Sequence, residues 1–342
     1  MKRQARREFL KTAASVLASS PLLSAFARAG AFADEPSKAS SLVWGALLHL
    51  GHNMWGDAPT AYTPAVDHLT FEEPLWDQLT EKASKLGLNM IVIDLGEGVQ
   101  YNSHPELAIK GAWSVDKLRS ELERLRGMGL EPIPKLNFSA CHDCWLGDYA
   151  HMVSTPTYYQ VCADLIREVV EIFDRPRFFH LGYDEENYQN QATYDYVVVR
   201  QGMLWKHDFL FFVEQCEKNH TRPWIWADYA WKHEDFLDWA PKSVVMSNWY
   251  YGGDFDSESN PTMQCYLDID AAGYDQIPTG SDYCDQLDNF LQTTKFGRAN
   301  ISKEHLLGYL QAPWRFTERK YHELNNRSID LVGQAIQAYD AN

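Results

Sequence analysis

The chain has little positive charge for its size. Its 342 residues include 31 Lys and Arg against 47 Asp and Glu, which gives a formal net charge of −16. Because nucleic acids and anionic membranes attract basic surfaces, a protein this acidic would repel both. Uncharged or cationic ligands therefore remain as partners, and nucleic acid is excluded.

Two motifs of cofactor sites are also missing. No glycine-rich dinucleotide turn follows the first predicted strand, and no glycine-rich phosphate cradle appears elsewhere. The segment Cys141-His142-Asp143-Cys144 resembles half of a metal site, but no second CxxC or HxxxH accompanies it. We therefore expect no metal and no cofactor, and the six cysteines to form disulfides or remain thiols.

The first residues have the pattern of an export signal. Arg6-Arg7 precedes a mildly apolar stretch, residues 12–27, that contains no acidic residue, and Ala31-Phe32-Ala33 offers a small-x-small cleavage site. The stretch is too short, and too broken by Ser and Pro, for a membrane span. We expect residues 1–33 to be a twin-arginine signal peptide. Residues 34–342 would then form one periplasmic or extracellular domain without a membrane span; the oligomeric state is not indicated.

Short apolar runs alternate with helical patterns along the rest of the chain. Eight such units in about 300 residues predict a single-domain (β/α)8 barrel of the TIM type, in the α/β class. Apolar runs without polar alternation fit parallel strands that are buried on both faces. Residues 250–272 are the least regular, and we predict a loop there. The predicted strands are residues 42–50, 90–95, 131–138, 178–182, 224–228, 244–249, 274–277 and 306–310.

Polar and aromatic residues follow nearly every predicted strand. In such a barrel the carboxyl ends of the strands carry the chemistry. Acidic and aromatic side chains without a phosphate cradle favour a carbohydrate ligand, since aromatic faces stack on sugar rings. These strand-end residues are His49, His52, Asp94, Glu97, Asn137, His142, Asp184, Glu185, Trp226, Asp228, Asn248, Trp249, Asp282, Tyr283 and Trp314.

The fourth predicted strand ends in a cluster of carboxylates. The apolar run of residues 178–182 stops at Tyr183 and is followed by Asp184 and Glu185. Adjacent carboxylates at a strand end point in different directions along the rim. One can therefore give a proton to a leaving group while its ionised neighbour orients the substrate.

This segment resembles a known signature. Residues 180–185, His-Leu-Gly-Tyr-Asp-Glu, are similar to the His-x-Gly-Gly-Asp-Glu motif of family 20 glycoside hydrolases, the β-N-acetylhexosaminidases. The similarity extends over residues 42–320, with the strands in the same order. The other segments that resemble barrel strands of the family are residues 129–134, 223–228, 244–249, 273–283 and 308–314.

The resemblance implies a retaining hydrolase of β-linked 2-acetamido sugars in oligosaccharides or glycoconjugates. In that family the substrate's own acetamide oxygen attacks the anomeric carbon. Glu185 would then be the general acid/base, Asp184 would accept a hydrogen bond from the acetamide N–H, and Tyr283 would donate to its oxygen. The other substrate-binding residues under this resemblance are Trp226, Trp249, Trp314, Asp228, His142 and His49.

The chain also departs from the family pattern. No Arg ends its first strand, Lys135 and Asn137 stand at usually acidic positions, and Tyr183 replaces a small residue. The Trp-x-Glu of the eighth strand becomes residues 314–316, Trp-Arg-Phe. The resemblance therefore covers the catalytic pair more fully than the residues that read the sugar.

Two alternatives remain open at this point. In one, Glu185 is the acid and a second protein carboxylate, from Asp228, Asp94 or Glu97, is the nucleophile or base. The distance between the carboxyl groups would decide its stereochemistry. In the other, the barrel binds glycans without hydrolysing them.

Overall fold

The computed structural model describes residues 42–55, 63–233, 235–284 and 286–341. The predicted signal peptide, residues 1–33, lies outside them. Within the described residues, eight barrel strands each precede a helix. The strands are β1 (Val43–His49), β2 (Met90–Asp94), β3 (Glu131–Lys135), β4 (Phe178–His180), β5 (Arg222–Trp226), β6 (Val245–Ser247), β7 (Thr279–Gly280) and β8 (Gly308–Gln311).

The helices that follow these strands form the outer layer. They are α1 (Glu73–Lys85), α2 (Val115–Gly127), α3 (Pro156–Ile172), α4 (Gly202–Lys218), α5 (Phe236–Trp239), α6 (Pro261–Ala271), α7 (Asn289–Asn300) and α8 (His322–Asp340). None of the helices in the described ranges is long and apolar enough to cross a membrane.

All neighbouring barrel strands pair in parallel. The sheet runs in the order β6-β5-β4-β3-β2-β1-β8-β7. Parallel bridges from Met246 to Gln276 and from Trp249 to Thr279 join its two edges. The sheet is therefore an almost closed eight-stranded barrel, which confirms the predicted (β/α)8 fold.

Alternate residues of each strand belong to two separate cores, as the two-residue period of a strand requires. Leu47 and Val92 belong to a small cluster in which Trp224 and Trp226 are the largest side chains. Leu48 and Ile93 instead belong to the large cluster that includes the helices. The small cluster is the interior of the barrel, and both faces of the sheet are buried.

The predicted loop at residues 250–272 is wrong over its second half. The polar run there leads into α6, which begins at Pro261. The side chain of Asn260 accepts a hydrogen bond from the Thr262 N–H at 3.0 Å, and Pro261 needs no such partner. The seventh strand is also later than predicted, because residue 276 makes only isolated bridges and the regular pairing begins at Thr279.

One glycine determines how the chain leaves β4. Gly182 has φ of +67°, and a Cβ added to it would lie 2.1 Å from Oδ1 of Asn137. Its N–H donates to Nδ1 of the buried His180 at 3.0 Å. The backbone therefore needs glycine both for its left-handed conformation and for the close approach of Asn137.

We expect Gly182→Ala to lower the free energy of unfolding by about 1–3 kcal/mol or more. Alanine disfavours the left-handed backbone of this position, and its Cβ would clash with Asn137. Denaturant unfolding followed by circular dichroism measures this. The control is Gly127→Ala at the end of α2, where an added Cβ would meet no atom within 4 Å apart from its chain neighbours and the backbone of its own helix. That variant should be unchanged or more stable by up to about 1 kcal/mol. Equal stability of the two variants would contradict the account.

Candidate active site

A cavity of about 700 Å³ opens at the carboxyl ends of the strands. This volume lies within the range of small-molecule sites. Its walls combine aromatic side chains with a few polar groups, as ligand pockets do. The lining residues are His52, Met54, Trp55, Thr63, Asn137, His142, Asp184, Glu185, Trp249, Tyr251, Tyr283, Cys284, Trp314, Arg315, Phe316, Tyr321 and Leu324.

The carboxylates after β4 lie on the wall of this cavity. Tyr183 and Glu185 both have left-handed backbone, with φ of 75° and 57°. Such conformations in non-glycine residues store strain and cluster at functional sites. Asp184 between them is 7% exposed, whereas the side chain of Glu185 is 37% exposed. The turn therefore separates one buried carboxylate from one that solvent reaches.

Asn137, just after β3, holds this turn in place. Its Oδ1 accepts hydrogen bonds from the N–H groups of Tyr183 and Ser139, each at 3.1 Å. Its Nδ2 donates to Oδ1 of Asp184 at 2.8 Å. One amide thus fixes both the backbone before Asp184 and the orientation of its carboxylate. Asn137 is itself only 2% exposed.

His142 lies between the two carboxylates. Its Nε2 is 3.4 Å from Oδ2 of Asp184 and 3.3 Å from Oε2 of Glu185. Burial lowers the pKa of this imidazole, but the charge of Asp184 and the contacts with both carboxylates raise it well above its usual value. Burial by itself would raise the pKa of Asp184. The charge of His142 and the hydrogen bonds from His142 and Asn137 have a larger effect in the opposite direction, so that the pKa of Asp184 is lowered. Asp184 is therefore ionised.

A third carboxylate supports the turn from β5. Oδ2 of Asp228 accepts the Glu185 N–H at 2.9 Å, whereas its Oδ1 is buried and has no partner among the described residues. Burial, and then the charge of Asp184, raise the pKa of Asp228 to about 7. Asp228 thus contacts the backbone of Glu185 and is not among the residues that line the cavity.

Three aromatic residues form one wall. Trp249 stacks on Tyr251 with ring centroids 5.1 Å apart, and the indole N–H of Trp314 donates to the Tyr251 hydroxyl at 2.9 Å. Trp314 has φ of 53°, a left-handed conformation that is rare for a bulky side chain. This wall can pack on the apolar face of a sugar and offer it one hydroxyl group.

Two residues predicted to bind substrate lie below the cavity instead. Trp226 is 1% exposed, and its ring lies 5.6 Å from that of Trp314 in the barrel interior. His49 is also 1% exposed, with Nδ1 3.3 Å from Oδ2 of Asp94. Neither is among the lining residues. Both are the last residues of their strands, where side chains still point into the barrel, so that they support the wall rather than form it.

The other candidate carboxylates have structural partners. Asp94 accepts a hydrogen bond at 2.5 Å from the buried Lys135, and the pKa of Asp94 is lowered because the charge of Lys135 and the contact with His49 outweigh burial. Glu97 accepts the N–H groups of His52 and Asn53 at 2.7 and 3.1 Å. Among the described residues, Asp184 and Glu185 are the only carboxylates that line the cavity.

Several lining residues were not singled out by sequence reasoning. Tyr251 was missed because it lay in the predicted loop, although it follows Trp249 by only two positions. Arg315 was given no role, because the sequence showed only that Phe316 replaces the acid of the family pattern; the structure pairs Arg315 with the buried Asp282 at 2.9 Å. The predicted Tyr283 lies on the cavity wall and is 41% exposed.

The carboxylates and His142 also form the one group of possible metal ligands found among the described residues. One ligand atom from each of His142, Asp184 and Glu185 lies within 4.8 Å of the others. The same geometry suits a charged histidine between two carboxylates, which needs no ion.

Comparison with known proteins identifies the fold. No protein-family model and no curated protein matches the chain. Among solved structures, it is similar to a β-N-acetylhexosaminidase from Bacteroides fragilis at 13% identity and a TM-score of 0.59, over 86% of this chain and 65% of that one. A GH20 exo β-N-acetylglucosaminidase from Vibrio harveyi gives 12% identity and a TM-score of 0.61, over 86% and 54%.

A third similar structure is a GH20 β-N-acetylhexosaminidase from Streptomyces coelicolor, at 13% identity and a TM-score of 0.57. It is matched over 64% of its own length and 85% of this chain. The chain thus spans less than two thirds of each of these proteins. At such identities the comparison establishes a shared barrel fold.

The raised pKa of Asp228 predicts a specific dependence of stability on pH. Between its ordinary pKa of 3.8 and the folded value of about 7, the folded state binds more protons than the unfolded state. The free energy of unfolding should therefore fall as pH rises through this window.

In Asp228→Asn, the amide keeps an acceptor for the Glu185 N–H but does not titrate. The variant should gain stability relative to the wild type as pH rises from about 4 to about 7. Denaturant titrations at several pH values measure the difference. A difference that does not change with pH would show that Asp228 is not held in its protonated form.

Proposed function

We propose that the chain is a retaining glycoside hydrolase that cleaves β-linked 2-acetamido sugars with the substrate's own acetamide as nucleophile. The observation that carries this proposal is the pair after β4. Asp184 is buried and ionised, and Glu185 beside it is exposed to the same aromatic cavity. The family 20 resemblance of residues 180–185 and the hexosaminidase barrels of similar fold support the assignment.

In the first step Glu185 gives its proton to the glycosidic oxygen. The acetamide carbonyl oxygen forms a bond to the anomeric carbon as the leaving group departs, giving an oxazolinium-type ring. In the second step Glu185 takes a proton from water, which opens this ring at the same carbon. Two inversions at one carbon give net retention.

Asp184 stabilises the ring that forms between these steps. The nitrogen of the acetamide becomes positively charged as its carbonyl oxygen attacks, and a carboxylate that accepts its N–H lowers the energy of that state. Asn137 keeps Oδ1 of Asp184 in position and His142 contacts Oδ2, so that the remaining lone pairs of the carboxylate can face the sugar. The hydroxyl of Tyr283 or Tyr251, both on the cavity wall, can donate to the acetamide oxygen.

The alternative with a second protein carboxylate has less support. Asp94 is paired with Lys135, Glu97 holds two backbone N–H groups, and Asp228 contacts the backbone of Glu185. A nucleophile or base would have to reach the anomeric carbon inside the cavity. Substrate assistance requires only the two carboxylates that are there.

The test compares two substrates that differ only at position 2 of the sugar. We expect hydrolysis of 4-nitrophenyl N-acetyl-β-D-glucosaminide and no comparable hydrolysis of 4-nitrophenyl β-D-glucoside. Glu185→Gln and Asp184→Asn should each lower kcat/KM on the acetamido sugar by about 10²–10⁴-fold, because each removes a group that acts in the transition state.

The matched control is Glu186→Gln, the next carboxylate along the chain. Glu186 forms an ion pair with the buried Arg200 at 2.6 Å and does not line the cavity, so that it supports the fold. This variant should lose stability, and its folded fraction should keep its kcat. Equal rates on both sugars would contradict substrate assistance. Sugar binding without any hydrolysis, unchanged by Glu185→Gln, would instead favour a glycan-binding barrel.

A further inference from the structure

His52 lines the cavity in an unusual environment. It is 6% exposed, and neither of its ring nitrogens has a hydrogen-bond partner among the described residues. A buried polar group without a partner costs free energy, and such groups in folded proteins require an explanation. Both nitrogens are covered in the ligand-free structure, and His52 is part of the cavity wall, so a ligand that displaces a neighbouring wall side chain can supply the missing partner.

The structure holds this imidazole firmly. Glu97 accepts the His52 N–H at 2.7 Å, which fixes the backbone of the β1 loop. The ring stacks on Phe316 with centroids 3.5 Å apart and planes 20° apart, and Trp55 packs near it at 4.8 Å. Contacts cover the faces of the ring, and its edge carries the two nitrogens. A group fixed in this way is prepared to bind a ligand at little cost in entropy.

His52 is also neutral at ordinary pH. Burial, and then the nearby His49, lower its pKa well below the usual value. A neutral imidazole has one N–H donor and one acceptor nitrogen, whereas a cation has donors only. This combination matches a hydroxyl group, which both donates and accepts. A carboxylate or a sulfate can only accept hydrogen bonds, so it would leave the acceptor nitrogen of the imidazole without a donor.

We propose that His52 is a substrate-binding residue that recognises one ring hydroxyl of the sugar through its imidazole nitrogens. The wall formed by His52, Trp55 and Phe316 then binds a neutral, hydroxylated sugar. This wall would determine which ring hydroxyl a sugar needs in order to bind. The inference rests on the proposed function for the orientation of the sugar, although binding alone can test it.

The experiment removes the hydroxyl and the imidazole separately. Isothermal calorimetry gives the Kd of N-acetylglucosamine and of its 3-, 4- and 6-deoxy forms for the wild type, His52→Phe and His52→Gln. Phenylalanine keeps the flat ring on Phe316 without nitrogens, and glutamine restores a donor and an acceptor. The kcat/KM of the corresponding 4-nitrophenyl glycosides gives a second readout.

For the wild type, we expect one deoxy sugar to bind about tenfold more weakly than the parent. His52→Phe should bind the parent about tenfold more weakly and should not distinguish it from that same deoxy sugar. His52→Gln should recover part of the loss. The matched control is His233→Phe, since His233 stacks on Tyr229 at 3.8 Å, is exposed and lies outside the cavity lining. It should bind like the wild type.

Equal losses on all the sugars would show that His52 only supports the fold, and unchanged binding would show that it contacts no sugar. Either result, or no binding to the wild type, would overturn the inference. Selective binding without hydrolysis by the wild type would support the role of His52 and contradict the proposed hydrolase. Thermal unfolding of each variant separates a change in binding from a loss of folded protein.

Discussion

The site depends on one amide, that of Asn137. It accepts two backbone N–H groups and donates to Asp184, so that β3 determines how the chain leaves β4. Gly182 leaves just enough room for this side chain. The strained backbone of Tyr183 and Glu185 persists because these contacts over-determine it. Among the described contacts, no other single side chain holds both the backbone of the turn and the carboxylate of Asp184.

The electrostatic arrangement follows from that turn. It brings three carboxylates, Asp184, Glu185 and Asp228, close together, and His142 lies against the first two. Like charges at this distance cannot all be held in a buried site. The protein separates them by placing His142 against Asp184 and by raising the pKa of Asp228 to about 7. Asp184 can remain ionised only because its neighbours have these different environments, which is how one site supports distinct acid and base roles.

Much of this could be predicted from the sequence. Apolar runs without alternation give parallel strands with both faces buried, and chemistry then belongs at their carboxyl ends. The order of strands and helices therefore predicted the barrel and the place of Asp184 and Glu185. The depth of each side chain could not be predicted in the same way. Trp226 ends a strand and points inward, whereas Trp249 lies beyond its strand and reaches the cavity.

Other features depend on contacts between distant segments. Tyr251 belongs to the site because of its contacts with Trp314 and Trp249, and no local pattern indicates this. The role of Asn137 depends on its position opposite β4. The sequence shows only that Asn137 stands where the family pattern usually has an acidic residue. The ring nitrogens of His52 have no hydrogen-bond partner among the described residues, because the β1 and β8 loops enclose the imidazole. Such features follow from tertiary packing between distant segments, and the periodicity of apolar residues in the sequence does not predict it.

In the proposed mechanism, the acetamide oxygen of the substrate attacks the anomeric carbon. This attack can be tested with 4-nitrophenyl glycosides whose N-acetyl group carries zero, one, two or three fluorine atoms. Fluorine withdraws electrons from the carbonyl oxygen and weakens it as a nucleophile, while the leaving group stays the same. If the acetamide oxygen is the nucleophile, log kcat falls steeply with each added fluorine. A kcat that is independent of fluorine content would contradict it.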